Sequence, residues 1–538
     1  MANIKNNTNS ENIIEIFDTT LRDGSQSSDV NLSVHDKLDI VRMLDDFGVM
    51  YIELGWPGSN PKDIQCFKEV QSLRLKNSRI VAFGSTRRIG ISSYDDSNLR
   101  AIIESKTGVA CIFGKTWVEH VKKQLKATPQ QNLDSIRDSI EFLFRNGLEV
   151  IYDLEHFFDG FKDNKDYALE CIKTACNAGV STLVMCDTNG GTLTFEILEI
   201  VNAVQGFLKE NKLLVRLGIH THNDSGLAVA NAIEAVKLGV THVQGTINGI
   251  GERTGNADLC QIIPILKLKL GQNLGKIDVK KLTKLSRQVY TLTNLKPYDR
   301  QPYVGKNAFL HKGGVHVDAV MKGASYEHIN PEEVGNSRDI VLSDLSGRAT
   351  IVEVAKKFGY IVNKNDANVR AMLEKVESME KAGYDIGTIR AEQYLLVEEF
   401  FGNRKLPFDV DGWEIISEHK NKDSTTCKIF GTLKGDKLTE TDSVIGGPVD
   451  TSYKALQKLI SKEYKEIYTV KLANYKVMMA EEKGAESTVR VYIEFNDGRE
   501  EWACVGVNAN IITASLTAIE KGFRYYLLKH TNSDTKKT

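Results

Sequence analysis

The 538-residue chain has no surplus of either charge: 69 Lys and Arg stand against 71 Asp and Glu, with no long basic stripe. A nucleic-acid partner would require a cationic footprint, so none is expected. No apolar run reaches the roughly 20 residues needed to span a bilayer, so no membrane partner is expected either. The opening residues 1–10 are polar and lack the apolar stretch of a secretory signal; the expected location is the cytoplasm. The eight cysteines, at 66, 111, 171, 176, 186, 260, 427 and 504, contain no C-x-x-C pair. A disulfide framework and a thiolate zinc site are both disfavoured. A chain of this length exceeds one ordinary core, and two or three domains are expected.

What the sequence does contain, from about residue 13 to 275, is a rhythm. Short apolar runs begin at Ile13, Tyr51, Ile80, Val109, Val150, Thr182, Leu214 and His242, and amphipathic segments lie between them. In the segment 34–47, Val34, Leu38, Val41 and Leu44 share one helical face, and Gly48 supplies a left-handed stop. Eight strand–helix units predict an α/β fold, a closed (β/α)8 barrel, with an open doubly wound sheet as the alternative. The glycines at 249, 251 and 255 read G-x-G-x-x-x-G and follow the last strand. Both spacing and position are wrong for a dinucleotide fingerprint.

Chemistry in such a barrel sits at the carboxyl ends of its strands. The polar clusters fall there: Asp18 to Gln26, Glu53, Asp153 to His156, Cys186 to Gly191, His220 to Asp224 and Asn248 to Asn256. His220 and His222 are two residues apart at a strand end, so they share a face and suit a divalent metal. A lone H-x-H would favour two histidines hydrogen-bonded in a polar loop; the carboxylate and arginine of Arg22-Asp23 tip the balance to the metal. Closure brings strand one beside strand eight and near strand seven, so Asp23, His220, His222 and Asn256 belong to one sector of the rim. Such a nitrogen and oxygen set leaves positions open for an oxygen-rich substrate.

From 276 to 390 the rhythm is lost in a mostly helical connector, broken at Pro297 and Pro302. Taken alone, His311, His316 and His328 read there as solvated linker residues. From 391 to 538 a small α+β module repeats itself once. A strand at Cys427–Leu433 leads to a helix at Tyr453–Ile460, and strands at Val489–Phe495 and Glu501–Val507 lead to a helix after Asn508. The module holds no convergent acid, base or metal set, which suits ligand binding or dimerisation.

Asp18-Thr-Thr-Leu-Arg-Asp-Gly24, His220-Thr-His-Asn-Asp224 and Asn248-Gly-Ile-Gly-Glu-Arg-Thr-Gly-Asn256, in barrel order, resemble the DRE-TIM metallolyases. The connector and duplicated module narrow this to the α-isopropylmalate, citramalate and homocitrate synthase group. Tyr152 to Gly160 and Met185 to Gly191 look most like its citramalate branch. The resemblance implies condensation of acetyl-CoA with a 2-oxo acid, followed by thioester hydrolysis. Pyruvate is the expected acceptor; 2-oxoisovalerate, as in 2-isopropylmalate synthases, is the alternative. It implies a divalent metal, Mg²⁺ or Mn²⁺ with Zn²⁺ also compatible, held by Asp23, His220, His222 and Asn256. It makes Arg22 an alkoxide stabiliser and substrate contact, Thr188 a donor to the oxo-acid carboxylate and Glu155 a general acid or base. It turns His316 and Tyr326 into active-site groups supplied by the partner of a homodimer, against their reading as linker residues. Val317 stands where the family has glutamine. An amino-acid feedback inhibitor, isoleucine for the citramalate branch, is implied for the module. The reading from another class is a metal-binding ligand sensor, against which Arg22, Glu155 and His316 argue.

Overall fold

Eight parallel strands close on one another in the first half of the chain. They are β1 Glu15–Asp18, β2 Tyr51–Gly55, β3 Arg79–Ser85, β4 Val109–Lys115, β5 Glu149–Glu155, β6 Thr182–Asp187, β7 Arg216–Thr221 and β8 His242–Gly245. Each pairs with its sequence neighbours, and β8 pairs back to β1 in the register Phe17 to Gln244. The expected closed barrel is the observed fold. The computed structural model describes residues 13–311, 327–344, 346–387, 389–419, 423–479 and 487–530. They form two bodies: one holds 13–309 and 329–337, the other the remaining described residues.

The first helix shows how local sequence sets the elements. It runs Val34–Phe47, the span predicted, because both ends are specified. Ser33 and Asp36 form a reciprocal capping box, and Gly48 ends the helix at φ 99°. A Cβ at Gly48 would also stand 2.4 Å from the Lys276 carbonyl oxygen.

Strand alternation divides the barrel into two cores. Ile16, Ile52, Ala110, Val150 and Leu183 face out against the helices. Phe17, Tyr51, Val81, Phe83, Val109, Cys111, Ile151, Val184 and Cys186 face in. The inward parity, followed along each strand, yields layers. At the base lie Glu15, Arg79, Glu149, Arg216 and His242. The apolar and aromatic residues fill the middle. Towards the carboxyl ends the same parity delivers Glu53, Asp153, Glu155, His220 and Gln244. Strand β7 continues two residues beyond its predicted end, so His220 sits within it.

The glycine-rich loop after β8 explains its own spacing. Gly255 adopts φ +97°, and a Cβ there would meet the Gly249 carbonyl oxygen at 2.0 Å. The turn folds the chain back on β7: Asn223 N–H donates to Gly255 O and Ala257 N–H to Thr221 O, each at 2.9 Å. His222 and Asn256 form an antiparallel bridge there.

In the second body, helices Arg348–Lys357, Ala367–Lys381 and Arg390–Phe401 share a core of Ile351, Val369, Met372 and Val397. Two antiparallel three-stranded sheets follow, Phe408–His419, Asp423–Leu433 and Asp436–Val444, then Lys471–Met479, Val489–Asn496 and Glu501–Asn508. The helices Pro448–Ile460 and Ile511–His530 complete the two repeats. Each repeat is thus three strands and a helix, and the sequence reading missed a strand on each side of Cys427–Leu433 and one before Val489. No described helix is long and apolar enough to cross a membrane.

Candidate active site and metal position

Asp23, His220 and His222 meet at the carboxyl end of the barrel, all buried, with one donor atom from each within 4.8 Å of the others. They are the one such cluster among the described residues. His220 Nε2 lies 3.4 Å and His222 Nε2 3.9 Å from Asp23 Oδ2, and the two imidazole nitrogens are 3.2 Å apart. Burial alone would raise the Asp23 carboxyl, but Arg22, then the two imidazoles, hold it at about 2. Burial, then the neighbouring His222, pushes His220 down to about 4. At neutral pH the trio is one carboxylate and neutral imidazoles, the forms that bind a metal.

The fit to a divalent ion also shows in what lacks a partner. Asn256 is bridged to His222 and its Nδ2 donates to Ile250 O at 3.3 Å, yet its Oδ1 is buried with no hydrogen-bond partner. An orphaned amide oxygen beside a carboxylate and two imidazoles suits a shared cation. Three of the four residues named from the sequence, Asp23, His220 and His222, form the cluster, and Asn256 is bridged to His222 beside it.

Arg22 stands beside this cluster, held by three contacts. Its Nε donates to Glu53 Oε2 at 2.6 Å, its Nη1 is 3.0 Å from Asp23 Oδ2, and its guanidinium carbon lies 3.8 Å from the Phe83 ring centre. Burial opposes the charge; Glu53 and Asp23 more than restore it, and its pKa is raised. Glu53 is fully buried and also accepts from Thr19 Oγ1 at 2.5 Å.

Arg22, Asp23, His220 and His222 line a cavity of about 240 Å³ with Thr188, Glu155, Asp153, Cys186, Arg253 and the rings of Trp56, Phe83 and Phe113. Thr188 Oγ1 accepts from His156 N–H at 2.9 Å, which leaves its own O–H to give. Glu155 pairs with Lys115 at 2.5 Å. Arg253 holds Asp224 through two hydrogen bonds of 2.8 and 2.9 Å and donates to Thr188 O. Burial, then Glu53, raises Asp153 to about 7.

Arg22, Asp23, Glu155, Thr188, His220, His222 and Asn256 are therefore assembled at one place. His316 and Tyr326 lie outside the described residues. Sequence reasoning assigned no role to Glu53 and Asp153, and Gln244 escaped it altogether. The available signal was parity: each is a polar residue on the inward register of a strand.

Three family models match the chain: HMGL-like over 13–289, homocitrate synthase post-HMGL domain-like over 303–383, and the LeuA allosteric (dimerisation) domain over 389–527. The (R)-citramalate synthase of Geobacter sulfurreducens is 43% identical over 96% of this chain and 98% of its own. That of Sulfolobus acidocaldarius is 44% identical over 96% and 97%. The 2-isopropylmalate synthase of Methanocaldococcus jannaschii is 30% identical over 97% and 96%.

Proposed function

This chain belongs to the HMGL-like family and, within it, to the (R)-citramalate synthase group, and from that premise we propose that it condenses acetyl-CoA with pyruvate and water to give (R)-citramalate and CoA. The observation that carries the reading is the buried Asp23, His220 and His222 trio with Arg22 fixed beside it in one cavity.

A divalent metal held by Asp23, His220, His222 and Asn256 would polarise the keto group of the oxo acid as a Lewis acid. We favour Mg²⁺ or Mn²⁺, with Zn²⁺ compatible. The remaining demands fall on the protein. Arg22 faces the developing alkoxide with a charge that it cannot lose, preset by Glu53 and Phe83 before substrate arrives. Thr188 donates its free O–H to the substrate carboxylate. Glu155, steadied by Lys115, serves as general acid or base for the acetyl unit. Asp153, with its carboxyl near 7, is a second proton-exchanging group at the cavity wall. His316 and Tyr326 are proposed to complete the site from a partner chain.

The barrel is then the catalytic part, 13–275, followed by a connector over 276–390 and a regulatory and dimerising module over 391–538. We infer a homodimer in the cytoplasm, with isoleucine as feedback inhibitor of the module. Mixing inactive His316→Ala and His220→Ala chains should restore partial turnover, since one mixed dimer holds one intact site. No recovery after verified exchange would place His316 elsewhere. The substrate is tested by thiol release from acetyl-CoA with pyruvate, 2-oxoisovalerate and 2-oxoglutarate in turn. Pyruvate should give the highest kcat/KM; preference for 2-oxoisovalerate would move the chain to the isopropylmalate reaction.

A further inference from the structure

One neutral side chain inside the barrel joins two groups whose chemistry differs. Gln244 of β8 is 1% exposed. Its Nε2 donates to Asp153 Oδ1 at 3.0 Å, and its Oε1 lies 2.9 Å from His220 Nδ1. The other neighbour of the amide nitrogen is the weakly accepting Cys111 sulfur at 4.0 Å.

An amide has an acceptor at one end and donors at the other, so its direction carries information. With the nitrogen end given to Asp153, Oε1 faces the imidazole and can only accept. His220 Nδ1 must then carry the ring proton. The lone pair is left on Nε2, the nitrogen that faces Asp23 and His222. Turned round, the amide nitrogen would donate to Nδ1 and drive the ring proton onto Nε2, into the metal position. His222 has no comparable support: its Nδ1 is buried with no hydrogen-bond partner.

We propose that Gln244 is a positioning residue that fixes the tautomer and ring orientation of His220, and that Asp153 holds the amide in the required direction. The inference rests on the reading of Asp23, His220 and His222 as metal ligands. Partners behind a metal-binding histidine commonly change affinity by about 10- to 100-fold when removed.

The test measures Mn²⁺ bound to the full-length protein, from the electron spin resonance signal of the free ion, with thermal melting as the check of folding. Gln244→Met keeps length and apolar volume but offers no acceptor. It should melt close to wild type and bind Mn²⁺ about 10- to 100-fold more weakly. The decisive variant is the exchanged pair Asp153→Asn with Gln244→Glu. It reverses donor and acceptor between 153 and 244 while keeping an acceptor on His220 Nδ1, and should recover most of the affinity. A purely packing role predicts the opposite order, because methionine packs better than a buried glutamate. Folded Gln244→Met with wild-type affinity would overturn the proposal, as would an exchanged pair that binds no better than Gln244→Met. Wild-type protein that takes up no Mn²⁺ would overturn it together with the metal assignment. Normal Mn²⁺ behaviour without turnover of pyruvate would retire the citramalate reading and leave the role of Gln244 standing.

Discussion

The two ends of the barrel interior are built from the same strand parity and put to opposite use. At the base, Glu149 receives Arg79 and, at 2.7 Å, Arg216, while Tyr51 donates to it at 3.2 Å. Arg216 also pairs with Glu15, whose other oxygen is 3.1 Å from His242. At the rim, Glu53 Oε1, His222 Nδ1 and Asn256 Oδ1 are buried and left without hydrogen-bond partners. A buried polar atom without a partner costs about 1–3 kcal/mol. The base has such atoms too, His242 Nε2 and Thr182 Oγ1, but its carboxylates and guanidinium groups are paired with one another; at the rim the partnerless atoms include a carboxylate oxygen and lie around the Asp23, His220 and His222 cluster.

The contrast is broken most severely by emptying the rim. Chelation, or His222→Ala, should abolish turnover, and Mg²⁺ or Mn²⁺ should restore it to the chelated wild type alone. Loss of metal present at ~100 times its Kd should also remove about 2–3 kcal/mol of stability, read from denaturation with and without chelator. Full activity of His222→Ala in chelated buffer would contradict the assignment.

Arg22→Lys comes next. It keeps a charge but loses the planar fork between Glu53 and Asp23, so kcat should fall by about 10²–10³ with Mn²⁺ affinity little changed. A rise confined to KM would make Arg22 a uniform binding group.

At the base the signs reverse. Glu149→Leu leaves Arg79 and Arg216 short of a carboxylate. Because both arginines are partly exposed, the cost should be only about 1–2 kcal/mol in urea denaturation, with kcat/KM unaltered. A catalytic defect without a stability loss would show that the ends are not separable.

The smallest effect concerns pH. Burial raises Asp18 to about 7 despite hydrogen bonds from Thr20 N and Oγ1. Between the ordinary carboxyl range near 4 and about 7, the folded chain holds a proton that the unfolded chain has released. Stability is therefore fully present below that window and falls as pH rises through it. Asp18→Asn, which keeps an acceptor for Thr20, should flatten the decline in melting temperature between pH 5 and 8. An unchanged slope would assign the decline to other groups, Asp153 first.

Much of the barrel was legible because the units repeat one local signal: a buried strand, an amphipathic helix and, at Gly48, Gly147, Gly179 and Gly239, a glycine stop. The grouping of Asp23, His220 and His222 was legible because a candidate chelating set needs rare side chains at fixed parity. The strands of the second body were harder. In Lys471–Met479 only Leu472, Tyr475 and Met478 are partly buried, three residues apart rather than two, and a register shift between Leu472 and Asn474 breaks the strand period. In Phe408–His419 a bulge between Val410 and Gly412 shifts the parity midway. Glu53, Asp153 and Gln244 were obscure for another reason. Their meaning lies in what they touch across the barrel, up to 133 residues away in the case of Gln244 and Cys111.

The bridge between His222 and Asn256 bears on how this site can change through descent. Main-chain hydrogen bonds from Asn223 and Ala257 clamp the loop after β8 to the end of β7, so the separation of His222 and Asn256 is written in the backbone. Drift among the side chains around them leaves that separation untouched. Glycine at 255 is the exception, since any side chain there would strike Gly249. The spacing of His222 and Asn256 is thus set by the main chain, independent of which side chains line the cavity wall beside them.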